Sequence, residues 1–353
     1  MIIKKLSIVN FRNFSSKLFT FEDRTMITGA NGSGKTSIIE SIYYLTNFKS
    51  FRTSNDKKIV KIGEDSFIIN LEGERGGEDF VLGLLYKDNK KILSINGNRI
   101  TKLRDGFGFF ISVIFSTYDK LLSDRMAIYR RKFVDRLIST IDNEYFENLI
   151  QYHSILKRRN FILKEDGDKR LLETYSLQLS ERSVYLYERR LEFITYFEDL
   201  LNGLYEKVFE RKGLVKVKYS SSKDGGNFKD VPLFEKFKTN FSFEKQKKRT
   251  MFGPHLDDIV ITVEGKPVSD FGSEGEKTLL GITLKIAELN LIYENIGEYP
   301  VVLIDDAFSE LDRIKTNKLL EIFESYPQVI ITFPKKWENL ENYKIIDLDK
   351  ERI

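Results

Sequence analysis

The reading of the fold turns on Arg24-Thr25-Met26-Ile27-Thr28 and the eight residues behind it, Gly29-Ala30-Asn31-Gly32-Ser33-Gly34-Lys35-Thr36. A short apolar-rich strand runs into a glycine-rich turn. From Ser37 to Asn47, Ile38, Ile39, Ile42, Tyr43 and Leu45 then fall on one broad helical face. The turn fits G-x-x-x-x-G-K-[ST], and its place between strand and helix is the context that confirms a P-loop. Glycines let successive backbone N–H groups converge on phosphate oxygens, and the helix N-terminus adds partial positive charge. In such a loop Lys35 reaches the β- and γ-phosphates and the Thr36 hydroxyl binds Mg²⁺. The plainer reading is a glycine turn that caps a helix; the acidic strand end near residue 305 weighs against it.

Val301-Val302-Leu303-Ile304-Asp305-Asp306 supplies the second half. A continuous apolar run of this kind is a parallel strand buried on both faces. Its acidic end lies at the carboxyl edge of the sheet, where ligands bind. Asp305 is expected to hold Mg²⁺, and Asp306 to orient or deprotonate an attacking water. Lys35 and Asp305 stand 270 residues apart, too far for one compact nucleotide-binding domain, so a segment must be inserted between them.

That segment is helical in character. From Ser123 to about Arg211 there is no Pro and little strand signal. Asp142 is a plausible N-cap for a helix over Asn143 to Lys164, and Asp168 to Arg211 reads as one helix of up to 44 residues, about 66 Å long. The expected fold class is therefore α/β. A head is built from both chain ends, residues 1–121 and 250–353, with a helical arm over 122–249. Ser273-Glu274-Gly275-Glu276-Lys277-Thr278 opens an apolar helix 32 residues before Asp305, and a Ser and a Gly N–H at a helix N-terminus form an anion site.

Composition narrows the chemistry. With no Cys and two His in 353 residues, a disulfide framework, a Cys-based zinc site, an iron–sulfur cluster and a thiol nucleophile are excluded. An oxygen-bound metal such as Mg²⁺ stays open. The net charge of +4 is too small to argue a nucleic-acid partner by itself. The longest apolar stretch, roughly Phe107 to Phe115, falls far short of the ~20 residues a membrane span needs. Lys4 and Lys5 follow only three apolar residues, unlike a signal peptide, and a cytoplasmic location is expected.

Together the P-loop, the acid-tipped strand and the Ser273–Thr278 segment resemble the ABC-type ATPase heads. Ser-Glu-Gly-Glu-Lys-Thr looks like their signature with Glu274 at the second position, and Ser309-Glu310-Leu311-Asp312 looks like the D-loop. In such heads the signature of one protomer contacts the γ-phosphate held by another. The resemblance thus implies an ATP-sandwiched homodimer in which Ser273 and Gly275 act in trans.

A closer resemblance is to the RecF family, over almost the whole chain and in order. It is carried by Asn10 to Phe14, Ser50-Phe51-Arg52-Thr53, Arg130 to Ile138, Leu156 to Asn160, Gly253-Pro254-His255-Leu256-Asp257-Asp258 and Glu298-Tyr299-Pro300. That family implies ATP-dependent binding of double-stranded DNA or single-strand/double-strand junctions. It also implies RecO/RecR-type partners in gap repair and replication, and a weak DNA-dependent ATPase. Three positions depart from the ABC pattern. Phe115-Ser116-Thr117 stands where a Q-loop glutamine is expected, Thr332 where a switch histidine is expected, and Asp306 where a Glu is usual, which favours slow hydrolysis.

Arg12 is read as a contact to the adenosine portion of ATP, with bracing of its strand as the other role. Lys157-Arg158-Arg159 and Lys245 to Arg249 are candidate DNA contacts, since phosphate neutralisation needs clustered cations. His153 reads as an ordinary helix residue, and His255 is divided between turn structure and a role near the nucleotide. The alternatives to a recombination mediator are the ATPase subunit of an ABC transporter and a scaffold that binds ATP without hydrolysing it.

Overall fold

The structure, a computed structural model, describes the chain except residues 124–125, 166, 210–213, 222–231, 309–310, 334–341 and 351–353. The strands in chain order are β1 (Ile2–Phe11), β2 (Phe14–Thr20), β3 (Arg24–Thr28), β4 (Ser66–Arg75), β5 (Glu78–Lys87), β6 (Lys90–Ile95), β7 (Asn98–Ile100), β8 (Ser112–Ser116), β9 (Val215–Ser220), β10 (Asp258–Val263), β11 (Lys266–Pro267), β12 (Val301–Asp305), β13 (Val329–Phe333) and β14 (Lys344–Asp347). The chain divides into two compact units, residues 1–119 with 288–353, and residues 120–287.

The first unit holds two sheets. One has the order β2-β1-β4-β5-β6-β7 with antiparallel neighbours. The other is all-parallel, in the order β14-β3-β13-β12-β8. Every residue of β8, β12 and β13 is buried, as near-continuous Val/Ile/Leu runs demand. Helix α1 (Lys35–Asn47) lies against strands of both sheets. It is buried from Ser37 through Thr46, which explains apolar residues all round it rather than on a single stripe.

The second unit joins helices to a small sheet. Asp142 caps the helix Asn143–Lys164 by accepting the Tyr145 N–H at 2.9 Å. The helix Lys169–Phe209 has 41 residues and a length of about 62 Å, and these two helices pack on one another. In the sheet, β9 pairs antiparallel with β10 from Ser220↔Asp258 to Val215↔Val263, and β11 completes it.

That pairing moves the second crossing between units. The sequence places it at residue 250, whereas 250–287 group with the inserted unit, where β10 is built on β9. The helix Glu274–Ile296 starts in the second unit and ends in the first.

A candidate nucleotide-binding cleft

The register of the parallel sheet builds the site. Between the P-loop strand β3 and the acid-tipped β12 lies β13, with Thr332 paired to Ile27 on one side and to Asp305 on the other. On the far side of β12, Ser116 stands level with Asp305. The carboxyl ends of these strands therefore bring the P-loop, Thr332 and Asp305 together, although Lys35 and Asp305 are far apart in sequence.

Gly34 precedes α1 with φ +111°, a conformation that side chains disfavour, and a Cβ there would lie 2.5 Å from Phe14 Cζ. The loop needs glycine at this point for conformation and for room. Lys35 Nζ donates to the carbonyls of Gly29 at 2.7 Å and Ala30 at 3.0 Å, so its ammonium is held across the mouth of its own loop. The Ala30 N–H donates to Asp349 Oδ2 at 2.9 Å. The Ser33 hydroxyl is buried without a hydrogen-bond partner among the described residues.

Asp305 is the polar centre. Its Oδ1 accepts the Thr36 hydroxyl at 3.0 Å and the Thr332 hydroxyl at 3.0 Å. Burial raises the Asp305 carboxyl above its ordinary pKa, and those two hydroxyls oppose the rise. Thr332 Oγ1 also accepts the Asp306 N–H at 3.3 Å. Asp306 is exposed as a residue and has φ +53°; partial desolvation of its carboxyl raises its pKa, and the charge of Lys35 opposes the rise.

A cleft of about 630 Å³ opens over these groups. Asn31, Gly32, Gly34, Lys35, Thr36, Asp305 and Asp306 line it. So does Arg12, whose Nε and Nη2 bind Glu40 at 2.8 and 2.6 Å while Nη1 donates to the Lys58 carbonyl at 2.8 Å. Gly29, Ala30 and Ser33 are outside the lining. Thr36 and Asp305 offer two hard oxygens 3.0 Å apart, a donor set that suits Mg²⁺. Their direct hydrogen bond shows both already turned to one point.

Sequence reasoning named Arg52 and Thr332 without giving them a place in the cleft that they line, and missed Lys58, also in the lining, and Glu40 behind it. Glu40 was the findable one, the single carboxylate in a helix whose other residues are mostly apolar or hydroxyl-bearing. Thr332, read as a missing histidine, is a hydrogen-bond partner of Asp305.

In the second unit, Ser273 and Glu276 form a capping box. The Ser273 N–H and hydroxyl both donate to Glu276 Oε2 at 3.0 and 3.1 Å, and the Glu276 N–H returns to Ser273 Oγ at 3.3 Å. Among the described residues, none lies within 4 Å of a Cβ built on Gly275. Of the D-loop match, Ser309 and Glu310 lie outside the described residues. Asp312 caps the helix Arg313–Phe323 through the Lys315 N–H at 2.9 Å.

One expectation is corrected, and one left open is narrowed. Arg159 is no DNA contact: it is 1% exposed and paired with the fully buried Glu244 at 2.5 Å, with Thr250 and Ser176 on its other nitrogens. Lys157 and Arg158 are not buried in this way, and Lys245, Lys247, Lys248 and Arg249 are exposed. His255 belongs to turn structure, its Nδ1 2.5 Å from the Tyr152 hydroxyl, and burial lowers its pKa to about 4. His153 is exposed on its helix.

A parallel sheet that ends in a P-loop lysine, a hydroxyl and a buried carboxylate over one cleft defines a P-loop nucleotide-binding head, here interrupted by an inserted helix-rich unit. The family model described as "RecF/RecN/SMC N terminal domain" matches residues 2–346. The chain is 35% identical over 339 residues to the "DNA replication and repair protein RecF" of Clostridium botulinum (strain Eklund 17B / Type B), covering 94% of this chain and 92% of that protein. It is 33% identical over 337 residues to the protein of the same description from Clostridium novyi (strain NT), with the same coverage. A solved structure of the recombination mediator protein RecF-ATP in the RecFOR pathway superposes with a TM-score of 0.87 at 28% identity, over 96% of this chain and 93% of that one. The chain belongs to the RecF family.

Proposed function

We propose that this protein is an ATP-dependent, DNA-binding recombination mediator that acts in gap repair and replication. The observation that carries the reading is the meeting of Lys35, Thr36, Thr332 and Asp305 at one end of the parallel sheet. Its relatives' description as DNA replication and repair proteins, and the ATP in a solved structure of one, support it.

In this reading Lys35 leaves the Gly29 and Ala30 carbonyls for the β- and γ-phosphates of ATP. Thr36 and Asp305 hold Mg²⁺, which when bound neutralises phosphate charge. Thr332 keeps the Asp305 carboxylate oriented when Thr36 turns to the metal. Asp306 takes or orients the proton of the attacking water, and its short side chain favours slow turnover. Ser273 and Gly275 of one copy complete the site of a second copy, so ATP joins a homodimer and hydrolysis releases it. The protein works in the cytoplasm, its DNA substrate is a duplex or a single-strand/double-strand junction, and RecO/RecR-type proteins are its partners. Among the described residues no helix is long and apolar enough to cross a membrane.

The test combines mass in solution, phosphate release and DNA binding, each with and without ATP. Ser273→Arg should bind ATP, stay monomeric, and lose hydrolysis and the ATP-dependent part of DNA binding. Mixed with Lys35→Ala it should regain part of the activity, since the mixed dimer has one site with both lesions and one with neither. Heterodimers that form and stay inactive would refute the trans arrangement. Absence of phosphate release from the wild type would leave a non-hydrolysing scaffold.

A further inference from the structure

Glu40 lies on α1 one turn beyond Thr36, on the helix that the P-loop opens. Its side chain is fully buried, yet it is a carboxylate. A buried charge of this kind is retained only when paired and hydrogen-bonded. Glu40 is over-provided for: Arg12 grips it bidentately, Arg52 Nη1 donates to Oε2 at 3.3 Å, and the Ser50 hydroxyl donates to Oε1 at 2.5 Å. Ser50 in turn accepts the N–H groups of Arg52 and Thr53 at 2.9 and 3.1 Å.

These contacts draw three separate segments to one point: the turn after β1, the P-loop helix, and the stretch from Ser50 to Lys58. Each supplies part of the cleft lining, and Arg12 and Arg52 are the two cations that Glu40 holds there. We propose that Glu40 is a positioning residue of the nucleotide site, holding Arg12 and Arg52 as placed cations in the cleft wall. The proposal rests on the cleft being a nucleotide site. One carboxylate facing two guanidiniums leaves a net positive wall for the triphosphate. The bidentate grip fixes Arg12, whereas the single longer contact leaves Arg52 able to adjust.

The sign of the effect separates positioning from simple charge. Removing a negative group near a triphosphate should tighten binding by Coulomb's law alone. Positioning requires the opposite. Glu40→Gln keeps shape and loses the grip, so affinity for a fluorescent ATP analogue should fall about tenfold or more, the scale of a charge-assisted hydrogen bond. Arg12→Gln and Arg52→Gln should each weaken binding as well, and Glu40→Gln should add little to the Arg12→Gln/Arg52→Gln pair, because it acts through them. If Glu40→Gln does not fold, Ser50→Ala loosens the same hub more gently and should weaken the analogue in the Arg52→Gln background less than in the wild type. Unchanged or tighter binding in a folded Glu40→Gln, or full additivity with the arginine pair, overturns the proposal. Wild-type protein that binds no nucleotide overturns the functional reading beneath it instead.

Discussion

Thr332→Val removes one hydroxyl, and with it the bond to Asp305 and the longer, 3.3 Å bond accepted from the Asp306 N–H. The side chain is buried, its Oγ1 sits 3.0 Å from Asp305 Oδ1, and valine keeps its volume. A hydrogen bond to a charged group contributes about 1.5–3 kcal/mol. Asp305 keeps the Thr36 hydroxyl on the same oxygen, so the lower end applies, about 1.5 kcal/mol or tenfold in a binding constant. The loss falls on the ionised form. Burial already lifts the Asp305 pKa above that of an unfolded chain, and the Thr332 hydroxyl is the largest of the influences that oppose the lift, ahead of Thr36 and Arg52. The native state thus takes up this proton more readily than the unfolded state, and ionising Asp305 costs stability as pH rises through its folded pKa. The variant bears more of that cost. It should lose thermal stability chiefly at pH values above the folded Asp305 pKa, and less once acid protonates the carboxyl. Mg²⁺–ATP needs the ionised carboxylate, so its affinity should fall about tenfold, with the acid side of its pH profile displaced upward. Titration of a fluorescent ATP analogue in Mg²⁺ and in EDTA reads this directly, since only the Mg²⁺ arm involves Asp305. An unchanged Mg²⁺ affinity, or an equal loss in EDTA, would remove Thr332 from the support of the metal carboxylate.

Asp306→Asn is a clean lesion, because Asn tolerates the left-handed φ of +53° that Asp306 adopts. Light scattering should show an ATP-bound dimer that outlasts the wild-type one, and return to monomer at the wild-type rate would remove Asp306 from the hydrolytic step. Arg159→Ala breaks a buried ion pair and should cost about 3–5 kcal/mol in denaturant unfolding, whereas Arg158→Ala should leave stability alone and weaken DNA binding in a salt-dependent way; the reverse order would undo the assignment of the two arginines. His255, with a pKa of about 4 in the folded chain against 6.5 unfolded, binds fewer protons when native. Its share of stability is complete above pH 6.5 and shrinks as pH falls toward 4, by about 2 kcal/mol at pH 5. His255→Gln should flatten that slope in thermal melts, and a slope equal to wild type would assign the acid sensitivity elsewhere.

Much of the fold is local and therefore legible. The β3–P-loop–α1 sequence, the Asp142 cap and the 41-residue helix announce themselves through glycine spacing, a capping side chain and a long stretch without Pro. Short elements do not. β7 has three residues and β14 four, too few for any period to emerge. The grouping of residues up to 287 with the inserted unit was not legible for a different reason. β9 and β10 are separated by a long connection, and their pairing is a tertiary fact that neither strand advertises. Arg159 shows the same limit at a single residue: inside a Lys-Arg-Arg run, only the fold reveals which cation turns inward to Glu244.

The site divides along the same line. Lys35, Thr36, Asp305 and Asp306 are readable because each belongs to a contiguous motif. Thr332, Arg52 and Glu40 are not, because their roles arise from sheet register and from segments that meet only after folding. Two glycines differ in what accounts for them. Gly34 is explained inside the molecule, since its φ and the Phe14 ring leave no room for a Cβ. Gly275 has no such account among the described residues, as its φ is ordinary and none of them stands within 4 Å of a Cβ built on it. Glycine in a helix is less favourable than alanine by up to about 1 kcal/mol, so the chain gains nothing of its own by keeping it there. In the proposed dimer, the close approach that would account for Gly275 is that of the triphosphate held by Lys35 of the other copy.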